Sequence, residues 1–220
     1  MKVIKAQAIL ENPFSDFMSD EQYMEKMLEH IEKVGRTCYK SEDLITADSH
    51  DRFLRMIINK GHEAIIEHGG FTVRFIVDRG VSHEIVRHRI ASYAQESTRY
   101  CNYGKDKFGN EITVIEPNYF APGSYEYIEW YSAMKQSEEY YMKLLKAGAT
   151  PQEARATLPT SVKTEIVMTA NFREWRSFFK LRTSKAAHPQ IREVTIPLLN
   201  YLKVICPIMF EDIMCEEINE

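Results

Sequence analysis

Residues 71–77, FTVRFIV, alternate Phe71, Val73, Phe75 and Val77 with Thr72 and Arg74, the pattern of a half-buried strand. A second such stretch, SVKTEIVMT at 161–169, lies about ninety residues further on. Almost everything between and around them repeats at helical spacing instead. Helices that dominate a chain whose few strands are not sequence neighbours define the α+β class, with helices packed on a small central sheet.

The helices announce their own ends. Ser19 followed by Gln22 makes a capping box, after which Tyr23, Met24, Met27, Leu28, Ile31 and Val34 recur at helical spacing up to Gly35, a natural stop. Ser49 is placed to cap a second helix through Phe53, Leu54, Ile57 and Ile58, ending at Gly61. Residues 101–123 read as a loop with a short strand at Ile112–Ile115. Residues 124–148 form a long helix bearing Tyr127, Ile128, Tyr131, Met134, Tyr141, Leu144 and Leu145. Thr150-Pro151-Gln152-Glu153 is a capping box with proline at the first helical position. Asn171 caps a helix carrying Trp175, Phe178, Phe179 and Leu181, and His188-Pro189 opens a last one, interrupted or kinked at Pro197, that runs to Cys206-Pro207. No repeat or linker divides the chain, which reads as one domain over residues 1–220.

Charge and cysteine content narrow the function classes. Twenty-eight Lys and Arg against 32 Asp and Glu give a net charge of −4, which argues against a protein built to coat nucleic acid. No stretch approaches the roughly 18–20 apolar residues that span a bilayer. Cys38, Cys101, Cys206 and Cys215 lie far apart with no CxxC pair, so neither a zinc framework nor a disulfide scaffold is drawn. The expectation is a reduced, cytoplasmic protein. Fingerprints of dinucleotide-binding Rossmann domains, P-loop NTPases and GxSxG hydrolases are all missing. His62 and His68 in HEAIIEH sit six residues apart, which on a helix turns them about 120° away from each other, whereas a zincin needs a spacing of four.

The chemistry concentrates between Ser82 and Tyr100. Arg87, His88, Arg89 and Arg99 are interleaved with Ile85, Val86, Ile90 and Ala91, so some of these cations are pressed against a core and need a compensating anion. On a helix over 82–90, Arg87 and Arg89 would lie about 200° apart and serve different groups. Ser92, Gln95 and Arg99 recur at spacings of three and four, an arrangement suited to phosphate, sugar and base. A second group, Asn171, Arg173, Arg176 and Arg182, rides the aromatic helix that follows. Spacing alone leaves two readings open: an anion pocket, or solvated helices with surface ion pairs such as Glu84–Arg87 and Glu84–His88.

Arg87-His88-Arg89, seven residues, then Ser97 and on to Arg99, resembles the signature of the flavin-dependent thymidylate synthases. GHEAIIEH at 61–68, Arg155 in EARATLP, and Asn171-Phe172-Arg173 through Leu181-Arg182 resemble further family elements in the right order, so the likeness spans nearly the whole chain. It implies an α+β homotetramer without a Rossmann domain, its active sites formed between subunits. It implies FAD as cofactor, with dUMP, 5,10-methylenetetrahydrofolate and NADPH as substrates. By the same resemblance His62, Arg87, His88, Arg89, Gln95, Asn171, Arg173 and Ser177 lie at the flavin. Glu84, Arg87, Gln95, Glu96, Ser97, Thr98, Arg99, Arg155 and Arg182 lie at the nucleotide. Arg182 is then the catalytic arginine, which helps ionise the uracil ring. No metal is implied.

That chemistry suits these residue types. Methylation of uracil C5 needs electron density at that carbon, and a fixed guanidinium stabilises negative charge growing on the ring. Cysteine-dependent thymidylate synthases add a thiolate to C6 instead, but neither Cys101 nor Cys206 has the local context for that role. Ser97 has no His and Asp arranged to activate it, so no protein nucleophile is expected. Three positions depart from the family pattern: Ala64 where Ser or Thr is common, Glu84 where Gln is usual, and Ser177 where a longer polar residue stands.

Overall fold

A computed structural model describes residues 1–215 of the 220-residue chain. Its strands are β1 (Lys2–Ile4), β2 (Gln7–Glu11), β3 (Gly70–Asp78), β4 (Ala91–Gln95), β5 (Thr113–Ile115) and β6 (Lys163–Asn171). Its helices are α1 (Asp20–Thr37), α2 (Ser49–Asn59), α3 (Arg79–Ile85), α4 (Tyr125–Lys146), α5 (Pro151–Ala154), α6 (Phe172–Arg182), α7 (Pro189–Ile205) and α8 (Pro207–Phe210). This is the α+β class, with a four-stranded sheet in the order β2-β3-β6-β4 and a two-stranded sheet of β1 and β5. The two-stranded sheet is parallel, with Lys2 opposite Thr113, Val3 opposite Val114 and Ile4 opposite Ile115. None of the helices among the described residues is long and apolar enough to cross a membrane.

The residues group into two compact units, each assembled from three pieces of chain. The first comprises 1–7, 75–87 and 93–167; the second 8–74, 88–92 and 168–220. Strands β3 and β6 run from one unit into the other. The first unit has its own core of Tyr103, Ile112, Val114, Met134, Tyr141, Ala154 and Val162. The second is built around aromatic rings: Phe71 stacks on Trp175 with centroids 4.8 Å apart, and Trp175 meets Phe178 and Phe179 in turn. The Trp175 indole N–H donates to the Phe71 carbonyl at 3.0 Å, so the most deeply buried ring keeps its polar atom satisfied.

Most caps form as the residues dictate. Ser19 and Gln22 close both bonds of the capping box, and Thr150 and Glu153 do the same ahead of Pro151. Asn171 accepts from the Glu174 amide at 2.9 Å and starts α6. Burial along β3 alternates as its sequence does, with Phe71, Val73, Phe75 and Val77 all inside. Each such side chain contributes about 1.5–3 kcal/mol by leaving water.

Several details differ from the sequence reading. Helix α7 continues from Pro189 to Ile205 with Pro197 inside it, so the proline, which removes one backbone donor, does not interrupt the helix. Gly35 does not end α1, which continues to Thr37; a Cβ at that position would stand 2.7 Å from the Phe53 ring and 2.8 Å from Ile65, so the glycine permits close packing. Asp48, not Ser49, stands at the N-cap position of α2 and makes no side-chain cap bond there, while the Ser49 hydroxyl, inside the first turn, donates to Glu32 at 2.8 Å. Helix α3 stops at Ile85, so Arg87 and Arg89 never share a helix. Residues 91–95 form β4, and the three-and-four spacing of Ser92, Gln95 and Arg99 therefore has no helical meaning. The long helix α4 exists, but only its Met134 and Tyr141 are buried, and Ile128 and Leu144 face outward. Leu181 is likewise exposed on α6.

Candidate active site residues

In the second unit, one face of α6 organises the chemistry. Glu174, Phe178 and Arg182 are spaced by four and so line up along the helix. His88, buried on the segment between α3 and β4, lies against that face. Its Nδ1 is 3.1 Å from Glu174 Oε1, its ring meets Phe178 edge-on at 4.8 Å, and its Nε2 receives Arg182 Nε–H at 3.1 Å. Burial, with the Arg182 charge beside it, lowers the His88 pKa from 6.5 to about 4. The imidazole is therefore neutral at pH 7. Burial raises the Glu174 carboxyl above its usual range.

Beside this face lies a cavity of about 470 Å³ lined by Glu63, Glu67, Ile90, Asn171, Arg173 and Ser177 among others. Its basic residues are matched by carboxylates: Arg173 donates to Glu67 at 2.6 Å and pairs with Glu63 at 3.4 Å. Arg176 forks onto both oxygens of Asp212 at 2.7 and 2.6 Å and belongs to the framework. His62 is exposed beyond α2, its Nδ1 hydrogen-bonded to the Tyr39 hydroxyl at 2.8 Å. Arg89 is exposed, and Ala64 offers no hydroxyl at the start of the 3₁₀ turn Ile65–His68.

In the first unit the nucleotide-side candidates cluster around the end of β4. Gln95 Nε2 donates to Ser82 Oγ at 2.9 Å and to Thr164 Oγ1 at 3.2 Å. Glu96 is half-buried, taking the Tyr103 hydroxyl at 2.8 Å on one oxygen and Lys163 Nζ at 2.9 Å on the other. Lys163 also reaches Glu165 at 2.6 Å; burial alone would lower its pKa, but the bonds to Glu165 and Glu96 outweigh that and hold it raised. The chain then turns through Ser97, buried Thr98 and exposed Arg99. Arg155 touches Thr98 Oγ1 only at 3.5 Å. A cavity of about 320 Å³ is lined by Arg79, His83, Thr98, Arg155, Pro159 and Thr160, and no carboxylate side chain lines it. Two guanidinium groups lining a cavity with no carboxylate side chain among its described lining residues make a receptive place for an anion. Arg87 is exposed in the turn after α3, and Glu84 is half-buried on α3.

All the candidates named from the sequence are thus accounted for. The sequence reading missed Glu174, Lys163, Tyr103 and Arg79. Glu174 carried a signal in its spacing of eight from Arg182, and Lys163 in sharing a strand face with Glu165. Among the cysteines, burial pushes the Cys206 thiol up to about 12 and also raises that of Cys101, so neither is poised as a thiolate.

A model of the Thy1 family, described as thymidylate synthase complementing protein, matches residues 21–208. The chain belongs to the Thy1 family. Among its relatives, the flavin-dependent thymidylate synthase of Geobacter sulfurreducens is 33% identical over 190 residues, covering 81% of this chain and 78% of that one. The enzyme of the same name from Corynebacterium glutamicum is 32% identical over 208 residues, covering 86% and 81%. This Thy1 chain is therefore an enzyme of the flavin-dependent thymidylate synthase family. In fold it is similar to the UMP/dUMP methylase PolB from Streptomyces cacaoi bound with 5-Br dUMP, with a TM-score of 0.73 and 96% of each chain covered at 21% identity.

The donor set also fits a flavin dinucleotide. The α6 cavity presents the Ser177 hydroxyl, Arg173 and Lys180, types that hold sugar and diphosphate oxygens. Asn171 spends its carbonyl oxygen on the helix cap, which leaves its amide N–H groups for a ligand.

Proposed function

We propose that this enzyme makes dTMP from dUMP by reductive methylation, with 5,10-methylenetetrahydrofolate as one-carbon donor and FAD, reduced by NADPH, as the source of hydride. The observation that carries the reading is Arg182, held at Nε by a neutral, buried histidine in a chain of this family. A guanidinium fixed in this way needs little reorganisation as charge develops on the uracil ring, and it favours the ring deprotonated at N3. Arg182 is the catalytic residue in this reading.

The remaining roles follow the donor chemistry. His62, Arg87, Arg89, Gln95, Asn171, Arg173 and Ser177 hold the flavin, while His88, expected at the flavin, serves the site as the buried support of Arg182, since both its ring nitrogens are engaged within the protein. Glu84, Arg87, Gln95, Ser97, Thr98, Arg99 and Arg155 hold the nucleotide, with Arg155 at the phosphate. Glu96 serves the nucleotide as the tethered start of the turn at 97–99, since both its oxygens are engaged within the protein. The raised thiol pKa values of Cys101 and Cys206 support a reaction without a protein nucleophile. The exposed apolar side chains Tyr125 and Ile128, one helical turn apart on α4, support assembly as a homotetramer.

The test is a visible absorption spectrum of the purified protein, repeated anaerobically with NADPH and either dUMP, UMP or neither. The expected result is a flavin spectrum that bleaches faster with dUMP. A colourless protein that takes up no added FAD would overturn the reading, and faster bleaching with UMP than with dUMP would reassign the substrate.

A further inference from the structure

An arginine side chain carries only N–H donors, so in the 3.1 Å contact between Arg182 Nε and His88 Nε2 the histidine nitrogen must be the acceptor. A neutral imidazole has one proton, which then sits on Nδ1, and Nδ1 faces Glu174 Oε1 at 3.1 Å. Glu174 and His88 are both largely shielded from water, with side-chain exposures of 13% and 6%. Phe178, edge-on at 4.8 Å, fixes the plane of the ring between them.

We propose that Glu174 is a positioning residue for Arg182: by accepting the Nδ1 proton of His88 it selects the tautomer whose Nε2 can receive Arg182 Nε–H. Without that acceptor the proton is free to move to Nε2, where it would meet the arginine donor head-on and turn the guanidinium away. Glu174 touches no substrate in this scheme. Although Glu174 also lines the cavity beside α6, the effect proposed here runs through His88, and it rests on the reading of Arg182 given above.

The test is histidine ¹⁵N NMR of the protein at pH 7, with the His88 signals assigned by their loss in His88→Gln. In the wild type the Nδ1-protonated tautomer is expected; finding the proton on Nε2 would overturn the proposal at once. Glu174→Met removes the acceptor at similar size, and it should shift His88 toward the Nε2-protonated tautomer while kcat falls about tenfold at unchanged KM for dUMP. Glu174→Gln keeps an oxygen acceptor and should restore both the tautomer and most of the rate. A loss of kcat in Glu174→Met with an unchanged tautomer would overturn the proposal in favour of a merely structural role. Should the Met variant fail to fold, a Gln variant that keeps the tautomer but loses kcat tenfold does the same. A tautomer that follows Glu174 while kcat does not would overturn the part assigned to Arg182, and this separates the two readings.

Discussion

Arg182 and Arg155 are both assigned to the nucleotide, yet their surroundings are opposite in kind. In the second unit, Arg182 meets a buried, neutral histidine at 3.1 Å, and the cavity nearby balances its cations with Glu63 and Glu67. In the first unit, Arg155 is exposed, reaches its partner Thr98 only at 3.5 Å, and shares a cavity with Arg79 that no carboxylate side chain lines. A contact of 3.5 Å is weak. One arginine is therefore set before any ligand arrives, and the other is left with unbalanced charge for a ligand to complete. The difference matches the roles proposed for them, transition-state stabilisation for Arg182 and capture of an anion for Arg155.

Experiments that break this contrast can be ranked by size. Arg182→Ala should cost turnover about 3–4 kcal/mol while FAD stays bound, since the lost interaction belongs to the transition state; single-turnover kinetics on the coloured variant would show it. An unchanged kcat would put the two arginines in the same class. The neutral His88 makes a second, pH-dependent mark. Its folded-state pKa, about 4, lies below the unfolded value of 6.5, so the unfolded chain binds the proton first as pH falls. Stability present above pH 6.5 is then lost progressively toward pH 4, by about 3 kcal/mol at most. Urea denaturation at pH 7 and 4.5 should show the loss in the wild type and a smaller one in His88→Gln.

Arg155→Ala should act mainly on KM for dUMP, by about 1–2 kcal/mol, with kcat nearly kept. The same asymmetry predicts that salt raises KM for the nucleotide more than it weakens flavin retention, because Arg173 on the flavin side already has carboxylate partners in Glu67 and Glu63. Equal salt sensitivity in titrations of the two ligands would erase the distinction. The smallest effect belongs to Cys101→Ser and Cys206→Ala, which should each leave turnover within about twofold if no thiolate attacks the substrate. A trapped adduct between nucleotide and protein, seen by mass spectrometry after one turnover, would contradict this.

The sequence made the skeleton readable because its signals are local. Ser19 with Gln22, Thr150 with Glu153, and Asn171 each bond to backbone only three residues away, and the alternation of Phe71, Val73, Phe75 and Val77 lies within one strand. Where meaning depended on distant residues, the pattern misled or was silent. Gly35 looked like a helix stop because Phe53 and Ile65, which need its missing side chain, stand far along the chain. His88 looked as though it could pair with nearby Glu84, whereas the structure sets it against Glu174, 86 residues away. The tether of Glu96 to Lys163 spans 67 residues and carried no local sign. The residues proposed at the flavin and nucleotide came from a family likeness, and that likeness singled out neither Glu174 nor Lys163, which hold His88 and Glu96 in place.

The two compact units are threaded through each other along the chain, with β3 and β6 shared between them. During synthesis the first unit lacks a piece until residue 167 has emerged, and the second lacks its aromatic helix α6 until still later. Neither can follow the usual order in which an N-terminal domain folds while the rest is being made. No cut in the gene yields either unit as one contiguous product, so neither can be expressed separately as a simple truncation. Arg182, the proposed catalytic arginine at the end of α6, cannot meet His88 until α6 itself has been made, whereas contacts such as that of Arg74 with Glu11 can close well before it.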